Sequence, residues 1–519
     1  MGLLNFIKRL VFLSQNIPQQ TAYVFKGKEV SYRELYQKVR KFAYGLKKQG
    51  FKEGDRLVLF TWNNPYFLIT YYAAIFLGMI VTPINPRYTA REVLRIVSHS
   101  EAKALITDGN LLRELLPFMS KSKQGLTIIY HSSQETIQNL LNNTHSLKSF
   151  NQLMEENPVS LQPVNVEQDQ PAVMLYTSGT TGEPKGAILT YKNLYHGAKD
   201  HTDFLAVNKN DRILVTLPLN HVFGMTVSLN GPIYRGATLL LVEKFSPKKV
   251  FAIAKKHQAT IFAGVPTMYN YLMQADLPIE EKQKSFQHLR FALSGGATLP
   301  LSLLSNFEST FKVPVLEGYG LTEAAPVTFN QNRLKRRKGS IGLGLPNLRL
   351  RVTTNKGEDV PPGEVGELCI KGPVVMKEYF KNGEETRAVL KDGWLRTGDI
   401  AKIDTDGFVY IVDRSKDVII VKGHNVYPSE VEEVLYQHPA ISEVTVIGKK
   451  INSIEETVVA FVVLKKGYRT TDEELLEFTQ KYLATYKCPS SIVFLEELPK
   501  NVTGKIDKNR LRKDYIQHR

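Results

Sequence analysis

The sequence predicts an α/β protein: a large N-terminal domain of several subdomains, with sheets flanked by helices, followed by a small, mobile C-terminal α+β domain. Three observations predict it. Short apolar runs alternate with helical stretches through most of the chain, the pattern of parallel sheets with helical crossovers. Towards the end of that region the rhythm changes to closely spaced strands with Asp-Gly turns at 392–393 and 406–407. A chain of 519 residues also exceeds what one hydrophobic core organises.

In chain order, "MGLLNFIKRLVFLSQ" opens the sequence. Leu3, Leu4, Phe6, Ile7, Leu10, Val11 and Leu13 share one side of a helical wheel, and Asn5, Lys8 and Arg9 share the other. Lys8 and Arg9 interrupt the apolar run, which is therefore neither a signal peptide nor a membrane span. Phe6 stands where a myristoylation signal wants Ser or Thr. Two readings stay open: packing on the body of the protein, and lying on a membrane surface. "DRLVLFTW", "GMIVTPI", "AKALIT", "TIIYH", "RILVTLPL", "ATLLLV", "ATIFAGV" and "RFALSGG" then read as strands. "GEVGELCIKGP" and "GFVYIVDRSKDVIIVKG" read as hairpins and meanders. In the last hundred or so residues, "SEVEEVLYQHP" and "DEELLEFTQKYLATY" read as helices and "SEVTVIG" and "TVVAFVVL" as strands. "VDRSKDV" between the two parts is short and charged, a plain turn or a hinge. The expected division is 1–413 for the large domain, 414–417 for the hinge and 418–519 for the small domain.

The 43% hydrophobic and 23% charged content are those of an ordinary globular protein. Cys369 and Cys488 are the only cysteines, which argues against a disulfide framework or a zinc site and for a reducing compartment. A formal net charge of +16 favours anionic partners without choosing among them. The densest basic run, Arg333 to Lys338, reads as a solvated loop.

The stretch richest in chemistry is "YTSGTTGEPKG", Tyr176 to Gly186. It follows the apolar run "PAVML". Glycines let a backbone approach phosphate oxygens, hydroxyls add donors, and Lys185 adds charge at what is expected to be the loop's exposed lip. The spacing fits neither the Walker A motif nor the dinucleotide fingerprint. A plain Ser/Thr/Gly surface turn is the rival reading, but such a turn rarely carries so regular a set directly after a buried strand.

At these residues the chain resembles the adenylate-forming (AMP-binding) superfamily of acyl-CoA synthetases, aryl-CoA ligases and luciferases. Further blocks follow in that family's order: "PLNHVFG", "SGGATLP", "EGYGLTEAAP", "GWLRTGDIAKIDTDGFVYIVDRSKDVIIVKGHNVYPSEVEE" and "PKNVTGK". The likeness is greatest to bacterial long-chain fatty-acid–CoA ligases and spans nearly the whole chain. It implies that ATP and a carboxylate form an acyl adenylate with release of pyrophosphate, and that coenzyme A then takes the acyl group. It implies that Thr177, Ser178, Gly179, Thr180, Thr181, Gly182 and Lys185 hold the β- and γ-phosphates. Thr322 would contact the α-phosphate and Glu323 would bind Mg²⁺, an ion suited by oxygen ligands. Tyr319 would stack on adenine, and Gly295, Gly296 and Ala297 would wall the nucleotide and acyl pockets. Asp399 would accept from the ribose hydroxyls, with Arg414 beside it. His221 would position the substrate carboxylate. Lys505 would bridge carboxylate and α-phosphate in the first step. Lys422 and Gly423, with Lys244 as a weaker candidate, would serve coenzyme A. The resemblance places the pivot between the two steps at Lys416.

Read alone, several of these residues have plain alternatives. "GYGLTE" suits a tight turn before a helix, Asp399 and Arg414 a surface ion pair, His221 a structural histidine and Lys505 a solvent-facing tail. Related ligases often carry a Pro-Asp…Gly-Glu loop where this chain reads "VIGKKINSIEETVV", which leaves the acceptor open. "HVFGMTVSLNGPI" and "GVPTMYNYLM" are expected to line the acyl pocket, with Gly224 and Gly264 leaving room. The resulting expectation is a cytoplasmic, ATP-dependent fatty-acid–CoA ligase with ATP, Mg²⁺ and coenzyme A as cofactors. An arylacid–CoA ligase and a non-enzymatic nucleotide-binding or membrane-adaptor protein are the alternatives. Nucleic acid is not an expected partner. A homodimer and peripheral membrane contact stay open. No G-x-S-x-G elbow is present for a hydrolase.

Overall fold

Two large sheets carry most of the chain. The nine-stranded sheet runs in the order Leu343–Gly344, Ala324–Phe329, Val315–Leu321, Phe291–Ser294, Ile261–Gly264, Arg212–Val215, Thr238–Leu241, Thr21–Phe25, Lys28–Ser31. Neighbours from Thr21–Phe25 through Val315–Leu321 are parallel. The eight-stranded sheet runs Glu378–Tyr379, Lys185–Thr190, Pro171–Thr177, Ile80–Pro83, Arg56–Phe60, Ala104–Asp108, Thr127–His131, Ser146–Ser149. Each of the eight apolar runs picked out before residue 300 forms one of these strands. Most of these strands are buried on both faces, which is why they read as continuous rather than alternating hydrophobic runs. This computed structural model describes residues 6–119, 125–131, 146–155, 158, 161–177, 185–331, 336–451, 456–500 and 506–516.

A five-stranded antiparallel sheet follows, with Gly366–Lys371 between Arg349–Thr353 and Trp394–Ile403, and Val409–Arg414 pairing the last of these. Asp392 (φ 52°) and Gly393 (φ 75°) make the two-residue turn into Trp394–Ile403. The small domain has a sheet of Ile441–Lys450, Glu456–Leu464 and Ser491–Phe494, a hairpin of Ile419–Val421 and His424–Val426, and helices Pro428–Tyr436 and Asp472–Gln480. The last helix is shorter than the sequence predicts. Tyr486 falls instead in the 3₁₀ turn Thr485–Lys487, where its ring lies 4.8 Å from that of His424. Among the described residues, no cluster of buried apolar residues mixes residues up to 411 with residues from 419 onwards.

Two surface expectations change. In the N-terminal helix Phe6–Asn16, Ile7, Leu10 and Leu13 are buried in the main core, against Tyr32–Lys48 and Pro65–Phe76. Arg9 donates from Nε to the Tyr234 carbonyl at 2.7 Å and lies over the Phe12 ring. The described apolar face is thus packed on the body, and of its large residues Phe12 is the exposed one. No described helix is long and apolar enough to cross a membrane. The basic run is not simply solvated either. Arg336 pairs with Glu308 at 2.5 Å, Arg337 forks onto Asp404 and Asp406, and Lys338 reaches Glu308 at 3.3 Å. Arg333 lies outside the described residues.

Leu10→Ala should lower the unfolding free energy by about 2–5 kcal/mol, read as a shift of the denaturant midpoint in vesicle-free buffer. Phe12→Ala should cost less than about 1 kcal/mol. Equal, small effects of both would mean that the helix contributes nothing to the core.

Candidate active site

The candidate residues gather where the parallel strands of the nine-stranded sheet end. Arg212–Val215 runs into Leu217 to Gly224, Phe291–Ser294 into Gly295 to Ala297, and Val315–Leu321 into Thr322. Crevices beyond the carboxyl ends of such strands are where α/β sheets bind ligands. "GYGLTE" does not precede a helix. Thr322 and Glu323 form the turn between Val315–Leu321 and the antiparallel Ala324–Phe329, with Leu321 opposite Ala324.

The phosphate-loop candidate is the tip of a second hairpin. Pro171–Thr177 pairs with Lys185–Thr190, and Thr177 lies directly opposite Lys185. Ser178, Gly179, Thr180, Thr181 and Gly182 lie outside the described residues. Lys185 is not on an exposed lip. Its side chain is 13% exposed, its Nζ is 2.7 Å from Glu385 Oε2, and it lies over the Tyr379 ring. Tyr379 Oη donates to Glu323 Oε1 at 2.6 Å. Burial and the neighbouring Glu323 carboxylate hold the Tyr379 phenol far above its ordinary range, so it stays a donor. Lys185, Glu385, Tyr379 and Glu323 therefore form one connected polar chain between the two sheets.

Tyr319 and Asp399 make the second cluster. Tyr319 Oη donates to Asp399 Oδ2 at 2.5 Å, and Arg414 Nε is 3.4 Å from Asp399 Oδ1. Asp399 and Arg414 face each other in the sheet register. Asp399 is buried, whereas the Arg414 side chain is 54% exposed, which leaves the guanidinium open to a ligand.

His221 and Gly296 meet in one small cavity with Leu217, Pro218, Phe223, Gly224 and Val265. His221 Nδ1 accepts from the Phe223 N–H at 3.2 Å, which assigns the ring proton to Nε2. An Nε2–H is the donor a carboxylate needs. The free volume is only about 10 Å³. Gly224 does not provide room: a Cβ there would stand 2.2 Å from the Pro218 carbonyl oxygen. A Cβ at Gly264 would stand 2.7 Å from the Phe262 ring. Both glycines permit tight packing rather than an open pocket. From "GVPTMYNYLM", Val265 reaches the cavity, Tyr269 and Leu272 are core, and Tyr271 is 42% exposed.

The remaining candidates lie apart. Lys505 is outside the described residues. Lys422 (φ 48°) and Gly423 (φ 80°) form the exposed two-residue turn of the hairpin Ile419–Val421 and His424–Val426, packed on the small domain. Lys244 lies over the Trp62 ring at 4.3 Å. Ala297 is exposed on its loop. Among the described residues no group of three His, Cys, Asp or Glu could cage a metal. The sequence reading missed Tyr379 and Glu385, which no motif marks. It also missed Glu317, whose signal was legible: a lone carboxylate in the apolar run "VPVLEGYG". Burial pushes the Glu317 carboxyl up to about 7, against the Gly339 N–H at 3.3 Å and Arg336, with Glu433 and Glu308 reinforcing the rise.

The family model for AMP-binding enzymes matches residues 14–380, and that for the AMP-binding enzyme C-terminal domain matches residues 430–505. A long-chain-fatty-acid–CoA ligase of Bacillus subtilis is 36% identical over 96% of this chain and 93% of its own. A 4-coumarate–CoA ligase of Humulus lupulus is 32% identical over 94% of this chain and 90% of its own. The crystal structure of ATP-bound MatB from Rhodopseudomonas palustris, 30% identical with 99% of both chains covered, superposes with a TM-score of 0.88. Its apo form, at the same identity and coverage, superposes with a TM-score of 0.78.

Two outcomes follow from this geometry. Lys185→Ala should raise the ATP concentration needed for half-maximal turnover by about tenfold or more, with thermal unfolding shifted only slightly. An unchanged ATP dependence would remove Lys185 from the phosphate site. Glu317 sets a pH dependence of stability. Its folded-state carboxyl titrates above the ordinary 4.5, so its contribution is fully present below pH 4.5 and is lost as pH rises through about 7. Glu317→Gln keeps an acceptor for Gly339 and does not ionise. Relative to wild type it should gain on the order of 3 kcal/mol between pH 4.5 and 8, measured by denaturant titration across that range. Parallel curves for the two proteins would show that Glu317 does not titrate there.

Proposed function

This chain belongs to the AMP-binding enzyme family, and from that membership we propose that its acid substrate is a medium- or long-chain fatty acid. It is an AMP-forming acid–CoA ligase, for which ATP and coenzyme A are substrates. The observation that carries the fatty-acid reading is the lining of the cavity beside His221. Leu217, Pro218, Phe223 and Val265 are apolar, and His221 is its one polar side chain among the described lining residues. A carboxylate held at His221 Nε2 with a hydrocarbon beyond it suits that lining.

In the first step a carboxylate oxygen attacks the α-phosphorus of ATP and pyrophosphate leaves. In the second the coenzyme A thiol attacks the acyl carbon and AMP leaves. Thr177 to Gly182 and Lys185 hold the β- and γ-phosphates, and Thr322 the α-phosphate. Tyr319 and Gly295 to Ala297 hold the adenine end. Asp399, held by Tyr319 and beside Arg414, accepts from the ribose hydroxyls. Glu323 has one carboxylate oxygen bonded to Tyr379 and the other for a hard cation. Glu323 would thus hold Mg²⁺, which would supply charge neutralisation at the triphosphate. Lys505 bridges carboxylate and α-phosphate in adenylation, and Lys422 and Gly423 border the coenzyme A path in transfer. The proposed domains are 1–413 and 418–519, joined by a hinge at 414–417, which falls where the apolar clusters divide. Reduced Cys369 and Cys488 accord with a cytoplasmic setting.

An arylacid substrate is the second reading. The cavity's free volume of about 10 Å³ must expand for any acid, and less for a compact ring than for a long chain. Acid-dependent pyrophosphate release over a panel of octanoate, palmitate, benzoate and 4-coumarate decides. The fatty acids should exceed the aryl acids at least tenfold in kcat/KM, and the reverse order overturns the substrate assignment.

Lys416 sits in the 3₁₀ turn Ser415–Asp417, which joins Val409–Arg414 to the small domain. Proline fixes φ near −65°, whereas a hinge changes φ and ψ between states. Lys416→Pro should therefore keep carboxylate-dependent pyrophosphate exchange and lose transfer to coenzyme A. Lys505→Ala should do the opposite, losing exchange by about 10²–10³ while still converting supplied acyl adenylate into thioester. Equal slowing of both half-reactions in either variant contradicts two poses.

A further inference from the structure

We propose that Lys500 and Tyr271 form a latch that holds the small domain against the large one in the adenylating pose, and thereby positions the loop that carries Lys505. The inference rests on the reading of Lys505 given above and adds two positioning residues to it.

Lys500 is the last described residue before the loop 501–505. An antiparallel bridge between Lys500 and Ile506 closes that loop, and Asp507 N–H donates to the Pro499 carbonyl at 2.8 Å. The root of the loop is therefore fixed to whatever fixes Lys500. Its Nζ donates to Glu443 Oε1 at 2.8 Å, inside the small domain, and to Tyr271 Oη at 3.1 Å, across the domain boundary. It also lies 5.1 Å from the Tyr271 ring centroid. The Lys500 side chain is 21% exposed and Glu443 is 11% exposed. Glu443 alone would neutralise the ammonium. Tyr271 adds a contact that exists in one domain arrangement and is broken by rotation.

Tyr271 belongs to the helix Pro266–Gln274. That helix begins at Val265, which lines the cavity beside His221, and its last residue, Gln274, donates from Nε2 to Ser442 Oγ of the small domain at 3.1 Å. One rigid element of nine residues, about 13 Å long, thus has its start at the acid pocket and its end against the small domain. Apart from Lys500, Tyr271 is 42% exposed and its ring lies 6.5 Å from that of Phe245. Two contacts, Lys500 to Tyr271 and Gln274 to Ser442, thus join one helix of the large domain to the small domain apart from the segment 414–417.

Lys500→Ala, Lys500→Arg and Tyr271→Ala test it in the full-length enzyme. With palmitate, Lys500→Ala and Tyr271→Ala should lower ATP–pyrophosphate exchange by about tenfold. Thioester formation from supplied palmitoyl adenylate and coenzyme A should stay within about twofold of wild type, and Lys500→Arg should recover most of the exchange. A readout independent of substrate comes from Gln274→Cys with Ser442→Cys in a Cys488→Ser background, bridged by a short bis-maleimide. Adding Lys500→Ala should cut the bridged fraction severalfold. An unchanged bridged fraction, or equal loss in both half-reactions, overturns the latch. Retention of exchange by Lys505→Ala overturns the underlying reading instead, and the bridging yield still judges the latch.

Discussion

The hydrogen bond from Tyr379 Oη to Glu323 Oε1 holds the candidate site together. Glu323 is at the turn of a hairpin in the nine-stranded sheet, whereas Tyr379 is on an edge strand of the eight-stranded sheet, opposite Ala187. One short, charge-assisted bond therefore ties the hairpin that bears Lys185 to the turn that bears Thr322 and Glu323. The backbone repeats the tie: Met376 N–H donates to the Glu323 carbonyl at 2.7 Å, and Phe380 N–H to the Gly186 carbonyl at 2.7 Å. Asn193 completes it, capping its helix with Thr190 while its Nδ2 donates to the carbonyls of Pro373 and Val375. A bond to a carboxylate in such a setting is worth about 1.5–3 kcal/mol. The two sheets already share one apolar core, in which Val215 and Leu239 of the first pack with Val81, Val173 and Ala187 of the second, and this bond fixes the polar edge of that contact.

This junction is also where the sequence falls silent. The strands were legible because burial on both faces writes them as unbroken apolar runs, and the phosphate hairpin because glycine and hydroxyl residues concentrate there. Thr177, Lys185, Thr322, Glu323, Tyr319, Asp399 and Arg414 were legible as motif positions, and the structure adds which of them touch. Tyr379 and Glu385 were not, since "KEYFKNGEE" has no periodicity or spacing that sets it apart from a surface segment. The openness of the acid pocket was misjudged for a similar reason. A glycine shows that something comes close without showing whether it is substrate or the Pro218 backbone. The N-terminal helix was ambiguous because a wheel gives a face and not its partner.

The excess of basic residues acts in two ways. Part of it is consumed locally, as where Arg336, Arg337 and Lys338 meet Glu308, Asp404 and Asp406 around the approach to Glu317. Exposed pairs of this kind contribute little stability each. The rest, a formal +16, stands as a field that raises the local concentration of anions. ATP, a carboxylate and coenzyme A are all anionic, so the same field serves every substrate without distinguishing them. Discrimination is left to short-range groups, the role proposed for Asp399 and His221.

The contacts that bind the small domain to itself differ in kind from those that bind it to the body. Inside it, Lys508 pairs with Glu432 at 2.9 Å and Val446, Val458 and Leu435 close an apolar core, while Arg512 reaches Asp417 of the 414–417 segment at 2.7 Å. Across the boundary the described hydrogen bonds include Lys500 to Tyr271, Gln274 to Ser442, and Asp413 accepting from Ser429 N–H at 2.9 Å. Hydrogen bonds that water can replace contribute about 0.5–1.5 kcal/mol each. A handful of them biases an equilibrium between two poses by factors of tens to thousands, which one ligand's differential binding can reverse. An apolar interface of ordinary size would hold one pose too firmly for a cycle that needs both. The absence, among the described residues, of any apolar cluster that joins residues up to 411 with residues from 419 onwards is what the proposed hinge needs: a small domain rigid within itself and only lightly held to its neighbour.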